Sequence, residues 1–195
     1  MFAHGAGAGM GHRFMVGLAD ALAVHAIATL RFQFSYMQAG NKRPDAERIL
    51  RATLLAAIDE GRRRANGLPL FAGGKSMGGR MTSRASATVG LPGVAGLVFL
   101  GFPLHPAGKP GTDRADHLRE VEQPMLFVQG TRDRLATLDL LHPVLDHLAD
   151  AATLHIVDGG DHSLVTPKRM GRSEPEVLDE VAAAIATWTA RVTGS

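Results

Sequence analysis

The chain has 195 residues, 45% of them hydrophobic, and its 21 Lys and Arg against 19 Asp and Glu leave a formal charge of +2. This length supports one sizeable hydrophobic core and not two, so we predict a single domain over residues 1–195. The near-neutral charge gives no reason to expect nucleic-acid binding, and the lack of cysteine excludes disulfides, thiolate metal sites and a thiol nucleophile.

The amino-terminal stretch MFAHGAGAGM lacks the charged start and the long apolar core of a secretion signal. No uninterrupted apolar run approaches the ~18 residues that a membrane span requires. We therefore expect a soluble, cytoplasmic protein without a membrane partner.

Short apolar runs alternate along the chain with longer amphipathic ones, which is typical of strands and helices in a parallel α/β sheet. The predicted strands are Met1–His4, Ala26–Phe34, Leu68–Gly73, Ala95–Gly101, Pro124–Gln129 and Thr153–Val157. The predicted helices are His12–Val24, Pro44–Asn66, Met77–Val89, Leu135–Ala149 and Glu174–Val192. We expect a three-layer αβα domain with a mostly parallel sheet of about six strands.

A glycine-rich loop, His4–Gly9, follows the first predicted strand. A dinucleotide-binding fingerprint, Gly-x-Gly-x-x-Gly, would need its third glycine at Met10 or at His12, so this interpretation fails. The glycines instead suit a backbone that approaches a ligand closely.

The stretch AGGKSMGGR, Ala72–Arg80, follows the third predicted strand and allows two interpretations of Ser76. A phosphate-binding loop would need glycine at position 69, where the chain has proline, which has no N–H to offer a phosphate. The alternative is Gly-x-Ser-x-Gly between a strand and a helix, the sharp turn that presents a nucleophilic serine. We therefore predict that Ser76 is a nucleophile.

A serine nucleophile needs a base to take its proton and an acid to orient that base. Asp133 comes after the fifth predicted strand and His162 after the sixth. Taken alone, Asp133 could be an ion-pair partner of its two arginine neighbours, and His162 a plain turn residue. The order Ser, Asp, His and the shared position beyond strand ends favour a catalytic triad.

Attack on a carbonyl also needs two N–H groups that stabilise the developing oxyanion. We assign one to Met77, directly after the nucleophile, and the other to Ala6 in the glycine-rich loop, with Gly5 as the nearest alternative.

Residues 102–123 form a proline-rich, irregular segment with one short helical piece, and such segments are often caps or binding loops. Phe102 and His105 lie at its start, so we predict substrate contacts there, although ordinary loop packing accounts for them equally well. His142 and His147 are not spaced to share a metal ion, and we predict neither a metal nor an organic cofactor.

Several motifs, taken in order, resemble those of a known family: HGAGAGMGHRFM, LRFQFSYM, GGKSMGGRM, LGFPLHPAGKP with a following DHL, QGTRD and DGGDHSL. They resemble the small α/β-hydrolases of the dienelactone-hydrolase-related group, in the branch shared by bacterial predicted hydrolases and a eukaryotic chromatin-complex subunit. The resemblance implies an α/β-hydrolase fold without its first two strands, with the strand order 2-1-3-4-5-6. It also implies Ser76, Asp133 and His162 as nucleophile, acid and base.

Members of that family usually carry a longer apolar strand, and further strands, ahead of the His-Gly-Ala-Gly turn. We therefore expect either a minimal sheet or a truncated start, and a less firmly held oxyanion loop. The apolar sheet edge that this leaves is a surface where two copies could form a homodimer.

The expected function is a serine hydrolase that cleaves a small ester-like substrate. Two alternatives are a catalytically silent α/β-hydrolase fold used for binding or assembly, and a nucleotide-binding protein that uses Gly-Lys-Ser. Because little sequence is left to form a lid, small soluble esters are favoured over long lipids.

Overall fold

A six-stranded sheet lies at the centre of the computed structural model, which describes residues 1–194. Its strands are β1 (Phe2–Ala3), β2 (Arg31–Phe32), β3 (Leu70–Lys75), β4 (Val94–Leu100), β5 (Met125–Gly130) and β6 (Ala152–Val157). Their order is β2-β1-β3-β4-β5-β6, and each neighbouring pair is parallel. The predicted architecture and strand order are confirmed, and the sheet is parallel throughout.

Helices cover both faces of the sheet. The α-helices of the described residues are α1 (Arg13–Val24), α2 (Ser35–Gln38), α3 (Glu47–Ala65), α4 (Met77–Val89), α5 (Leu138–Leu148) and α6 (Glu174–Thr193). Because side chains alternate along a strand, Val98 and Leu100 of β4 pack with α1 and α6, while Leu97 and Phe99 pack with the helices of the opposite face. This burial on both faces explains why the central strands are nearly continuous apolar runs.

The segment between β4 and β5 has the predicted character. It is irregular except for a 3₁₀ helix, Asp113–Glu120, which packs against α4.

The strand β2 is much shorter than the predicted strand Ala26–Phe34. Its ladder is formed by Arg31 and Phe32 opposite the two residues of β1. Ala26 has a φ of 58°, a left-handed conformation that cannot continue into a strand. Residues 27–29 have no strand opposite them, and an apolar run without a partner forms no ladder.

The helix α5 begins at Leu138 and not at Leu135 as predicted. The carboxylate of Asp133 accepts the N–H of Leu135 at 2.8 Å, which holds the chain in a turn at this point. The helix therefore starts only after this turn ends.

A cleft of about 900 Å³ lies at the amino-terminal end of β1 and β3. Residues 26–31 bound it on one side and residues 68–71 on the other. The buried amino group of Met1 donates a hydrogen bond to the carbonyl of Phe71 at 2.7 Å, and burial lowers the pKa of this amine to about 5. The hydroxyl of Thr29 is buried with no hydrogen-bond partner among residues 1–194. The amino-terminal end of the sheet is therefore loosely filled.

Candidate active site

Ser76 stands at the sharp turn from β3 into α4. Its φ of 50° and ψ of −114° lie outside the conformations that L-residues normally adopt. The turn brings α4 so close to β1 that a Cβ on Gly78 would lie 2.4 Å from the carbonyl oxygen of Ala3. The N–H of Ser76 is held by the carbonyl of Leu100 at 3.0 Å. Strain of this kind, fixed by its surroundings, is common at functional sites.

Three side chains from separate parts of the chain meet at the carboxyl ends of the strands. His162 Nε2 lies 2.8 Å from Ser76 Oγ, and His162 Nδ1 lies 2.7 Å from Asp133 Oδ2. A carboxylate can only accept, so Nδ1–H donates to Asp133 and Nε2 is left to accept the hydroxyl proton. The structure thus brings together the three residues that the sequence analysis singled out.

The carboxylate of Asp133 is fixed by more than the histidine. Its side chain is buried, with 1% of the residue exposed. Gln129 Nε2 donates to Oδ2 at 2.5 Å, and the N–H of Leu135 donates to Oδ1. Gln129 Oε1 in turn accepts the N–H of Phe102 at 3.1 Å. The carboxylate can therefore hold the imidazole in one tautomer and one orientation.

The loops that carry Asp133 and His162 are tied together by their backbones. The N–H of Arg132 donates to the carbonyl of Gly160 at 2.8 Å. Asp161 braces the loop of His162, because one of its carboxylate oxygens accepts two backbone N–H groups of that loop. These bonds set the distance between acid and base.

The two predicted oxyanion donors lie on either side of the serine. Met77 is the first residue of α4, so its N–H has no partner inside the helix. The glycine-rich loop lies against the nucleophile, because a Cβ on Gly5 would be only 3.8 Å from Ser76 Cβ. This arrangement suits a small anionic atom between the two backbones, and the assignment of Met77 and Ala6 stays a prediction.

Two aromatic side chains hold the glycine-rich loop, and this role was not predicted for either from the sequence. His4 Nδ1 donates to the carbonyl of Gly5 at 2.7 Å, and its Nε2 accepts the N–H of Phe34 at 3.0 Å. Tyr36 donates its hydroxyl to the carbonyl of Ala6 at 2.9 Å. Burial lowers the pKa of His4, which keeps the ring neutral and able to accept. The hydrogen bonds between His4 and Phe34 and between Tyr36 and Ala6 join residues 30 positions apart, which periodicity and spacing do not reveal.

The predicted substrate residues are buried. Phe102 has no exposed surface, and its ring packs on those of Phe99 and Phe127 at centroid distances of 5.2 and 5.7 Å. His105 is 4% exposed and donates from Nδ1 to the carbonyl of Pro106 at 2.8 Å. In this arrangement both side chains support the loop, and a direct contact with substrate stays a prediction.

Within residues 1–194, no three His, Cys, Asp or Glu side chains lie together as they would to hold a metal ion. In the same part of the chain, no helix combines the length and the apolar character needed to cross a membrane.

A family model described as an alpha/beta hydrolase domain matches residues 1–190. Among solved structures, Est1E from Butyrivibrio proteoclasticus with bound ferulic acid has a TM-score of 0.76 at 15% identity, over 100% of this chain and 88% of that chain. An esterase domain of a Rhodothermus marinus protein has a TM-score of 0.69 at 18% identity, over 97% and 85% of the two chains. An α/β serine hydrolase without lid from Xanthomonas campestris has a TM-score of 0.70 at 20% identity, over 97% and 80%. At these identities the structural likenesses show a shared fold.

Proposed function

The chain belongs to the alpha/beta hydrolase domain family, and from that premise we propose that it is a serine hydrolase that cleaves small carboxylic esters or thioesters. The observation that carries this proposal is the chain of two hydrogen bonds from Ser76 Oγ through His162 to Asp133. A buried acid, an oriented imidazole and a hydroxyl within hydrogen-bond distance are the groups that acyl transfer requires.

In the first half of the reaction, Ser76 Oγ attacks the carbonyl carbon of the ester while His162 Nε2 takes the hydroxyl proton. The carbonyl oxygen becomes an oxyanion, which the N–H groups of Met77 and Ala6 stabilise. The bond to the leaving group then breaks, and His162 gives its proton to the departing alcohol or thiol. The acyl group is left on Ser76.

In the second half, His162 takes a proton from water as the water oxygen attacks the acyl carbon. The tetrahedral intermediate collapses, the proton returns to Ser76 Oγ, and the carboxylic acid leaves. Throughout, Asp133 accepts the Nδ1–H bond and stabilises the imidazolium without itself taking the proton.

The proposed substrate class, small esters or thioesters, is supported by the solved structures that share this fold. Structural relatives include an esterase domain, a complex with ferulic acid and a serine hydrolase without lid. The finer relation to the dienelactone-hydrolase group and to the chromatin-associated branch stays a prediction. The cytoplasmic location and the possible homodimer are likewise predictions from the sequence.

A fluorophosphonate probe, which reacts with activated serines, tests the proposal. We expect labelling of the folded chain that is lost in the Ser76→Ala variant, together with faster turnover of acetyl and butyryl esters than of long-chain esters. A folded chain that is neither labelled nor active on esters or thioesters would support the silent assembly module instead. Protection against thermal unfolding by ATP or GTP would support nucleotide binding.

A further inference from the structure

Lys75 is a partly buried cation directly before the nucleophile, and the triad does not use it. Its Nζ donates a hydrogen bond to the backbone carbonyl of His162. It also lies 5.5 Å above the ring centroid of Phe14, on the α1 side of the sheet. Gly101 leaves room for this contact, because a Cβ there would lie 2.8 Å from the His162 carbonyl oxygen and 3.0 Å from Nζ.

The surroundings of the Lys75 amine affect its charge and so the strength of its hydrogen bond to the His162 carbonyl. Burial lowers the pKa of Lys75 to about 8, while the negative charges of Asp133 and Asp161 oppose that shift. The amine therefore keeps a substantial charged fraction near neutral pH. A charged donor forms a stronger hydrogen bond to a carbonyl than a neutral one.

The carbonyl of His162 depends on this contact. Asp161 and the Arg132–Gly160 bond hold the loop around His162, whereas within residues 1–194 Lys75 is the donor to the oxygen of His162 itself. Asp133 therefore holds His162 at the ring, and Lys75 holds it at its own carbonyl. Without Lys75, the main chain of His162 can shift although the bonds on either side of it and the bond to Asp133 are intact.

We propose that Lys75 is a positioning residue of the proposed hydrolase: its Nζ holds the main chain of His162 so that the imidazole stays between Ser76 and Asp133. This inference rests on the proposed function. It also gives the lysine of the Gly-Lys-Ser motif a different task from phosphate binding, since its amine contacts the carbonyl of the base. Because chemistry is sensitive to misplacement of about 1 Å, loss of the contact lowers the rate of the chemical steps more than substrate binding.

The first experiment compares Lys75→Met with Lys42→Met, which removes an exposed lysine instead. For Lys75→Met we expect kcat to fall ~10- to 100-fold with KM within about twofold of the wild type, and labelling by the probe to slow in parallel. Lys42→Met should match the wild type in all three. Thermal unfolding of each variant shows whether the fold is retained.

The second experiment restores the amine chemically and is decisive even if Lys75→Met folds poorly. The chain contains no cysteine, so Lys75→Cys introduces a single thiol. Alkylating that thiol in the unfolded chain with 2-bromoethylamine recreates the length and charge of lysine, whereas 1-iodopropane adds a chain of equal length without charge. After refolding, we expect the aminoethyl form to recover kcat to within about threefold of the wild type and the propyl form to remain at the Lys75→Met level.

The outcomes separate this inference from the proposed function. Equal kcat for the wild type, Lys75→Met and the propyl form would overturn the role of Lys75 and leave the hydrolase in place. Equal recovery by the aminoethyl and propyl forms would also overturn it, because side-chain bulk alone would then suffice. A folded wild type that is neither labelled nor active would overturn both.

Discussion

The two ends of the central sheet differ in how tightly their residues are held together. At the carboxyl end, Ser76, His162 and Asp133 are joined at 2.7 and 2.8 Å, and backbone and amide groups hold the acid and its loop. At the amino end, a cleft of about 900 Å³ separates β3 from residues 26–31, and Thr29 has a buried hydroxyl without a partner in the described part of the chain.

This difference indicates that the two ends contribute different properties. Pre-organisation at the carboxyl end fixes the geometry of the proposed reaction, whereas incomplete packing at the amino end limits stability. Substitutions at the carboxyl end should therefore change turnover, and those at the amino end should change the free energy of unfolding.

The largest expected effect follows the loss of the nucleophile. Ser76→Ala should reduce ester turnover by ~10⁴- to 10⁶-fold, because the remaining groups only bind and polarise the substrate. The free energy of unfolding should fall by no more than about 1 kcal/mol, since alanine keeps the same strained backbone and only the hydrogen bond to His162 is lost. Steady-state kinetics with an acetyl ester measure the turnover, and urea unfolding measures the free energy of unfolding. Ser163→Ala, which removes an exposed serine next to the base, is the control and should keep full turnover.

An acid-sensitive loss of stability is expected from the amino end. The pKa of the Met1 amine is lowered from 8.0 to about 5 in the folded chain, so the unfolded chain binds this proton at higher pH. Above pH 8 the amine is neutral in both states and does not change the free energy of unfolding. As the pH decreases from 8 towards 5, protonation of the unfolded chain lowers the free energy of unfolding by at most about 4 kcal/mol. The lowered pKa of His4 acts in the same direction below pH 6.5.

Urea unfolding at pH 8 and at pH 5 measures this effect. An N-terminally acetylated chain, whose amide does not titrate, should lose less stability between the two pH values. Identical losses in the acetylated and free chains would show that Met1 is not buried as described.

A smaller loss of turnover is expected when the support of the acid is removed. In Gln129→Leu, Asp133 loses an amide donor and the N–H of Phe102 loses its acceptor. We expect kcat to fall ~10- to 100-fold and the free energy of unfolding to fall by about 1–3 kcal/mol.

Gln123→Leu is the matched control, because Gln123 hydrogen-bonds Ser86 and Leu91 and makes no hydrogen bond to the triad. It should destabilise the chain with kcat unchanged. Equal kcat values for the two variants would remove the functional distinction between the sites.

The smallest expected effect is a change in the free energy of unfolding when one of two threonines is replaced by valine. Thr29→Val removes an unpaired hydroxyl at the amino end and should leave the free energy of unfolding unchanged or raise it by up to ~1 kcal/mol. Thr82→Val removes a hydroxyl that donates to the carbonyl of Gly78 at 2.9 Å, and should lower it by about 1 kcal/mol. Urea unfolding measures both free energies. A larger loss of stability for Thr29→Val than for Thr82→Val would contradict the description of the Thr29 hydroxyl as unpaired.

The sequence predicted what depends on local pattern. The strands around Leu97, the turn at Ser76, and the positions of Asp133 and His162 after strand ends follow from apolar runs and turn residues. The strand order was predicted from the family resemblance and is confirmed.

Features that depend on contacts between distant segments of the chain could not be predicted from local sequence pattern. The prediction of a long second strand was wrong because residues 27–29 have no neighbouring strand to pair with. The identity of these residues does not reveal whether such a neighbour exists. The supports of the site were missed for the same reason: Tyr36 meets Ala6, and Lys75 meets His162, only in the folded chain. Gln129 gave one signal, since it is the only polar side chain in the otherwise apolar run of β5.

The central claim, that Ser76 is an activated nucleophile, is tested most directly by locating the probe adduct. The native chain is treated with a fluorophosphonate, digested with trypsin and analysed by mass spectrometry. Trypsin cleaves after Lys75 and Arg80, and we predict that the adduct lies on the peptide SMGGR, whose single hydroxyl belongs to Ser76. A well-folded native chain with no adduct, or with its adduct on another peptide, would contradict the account.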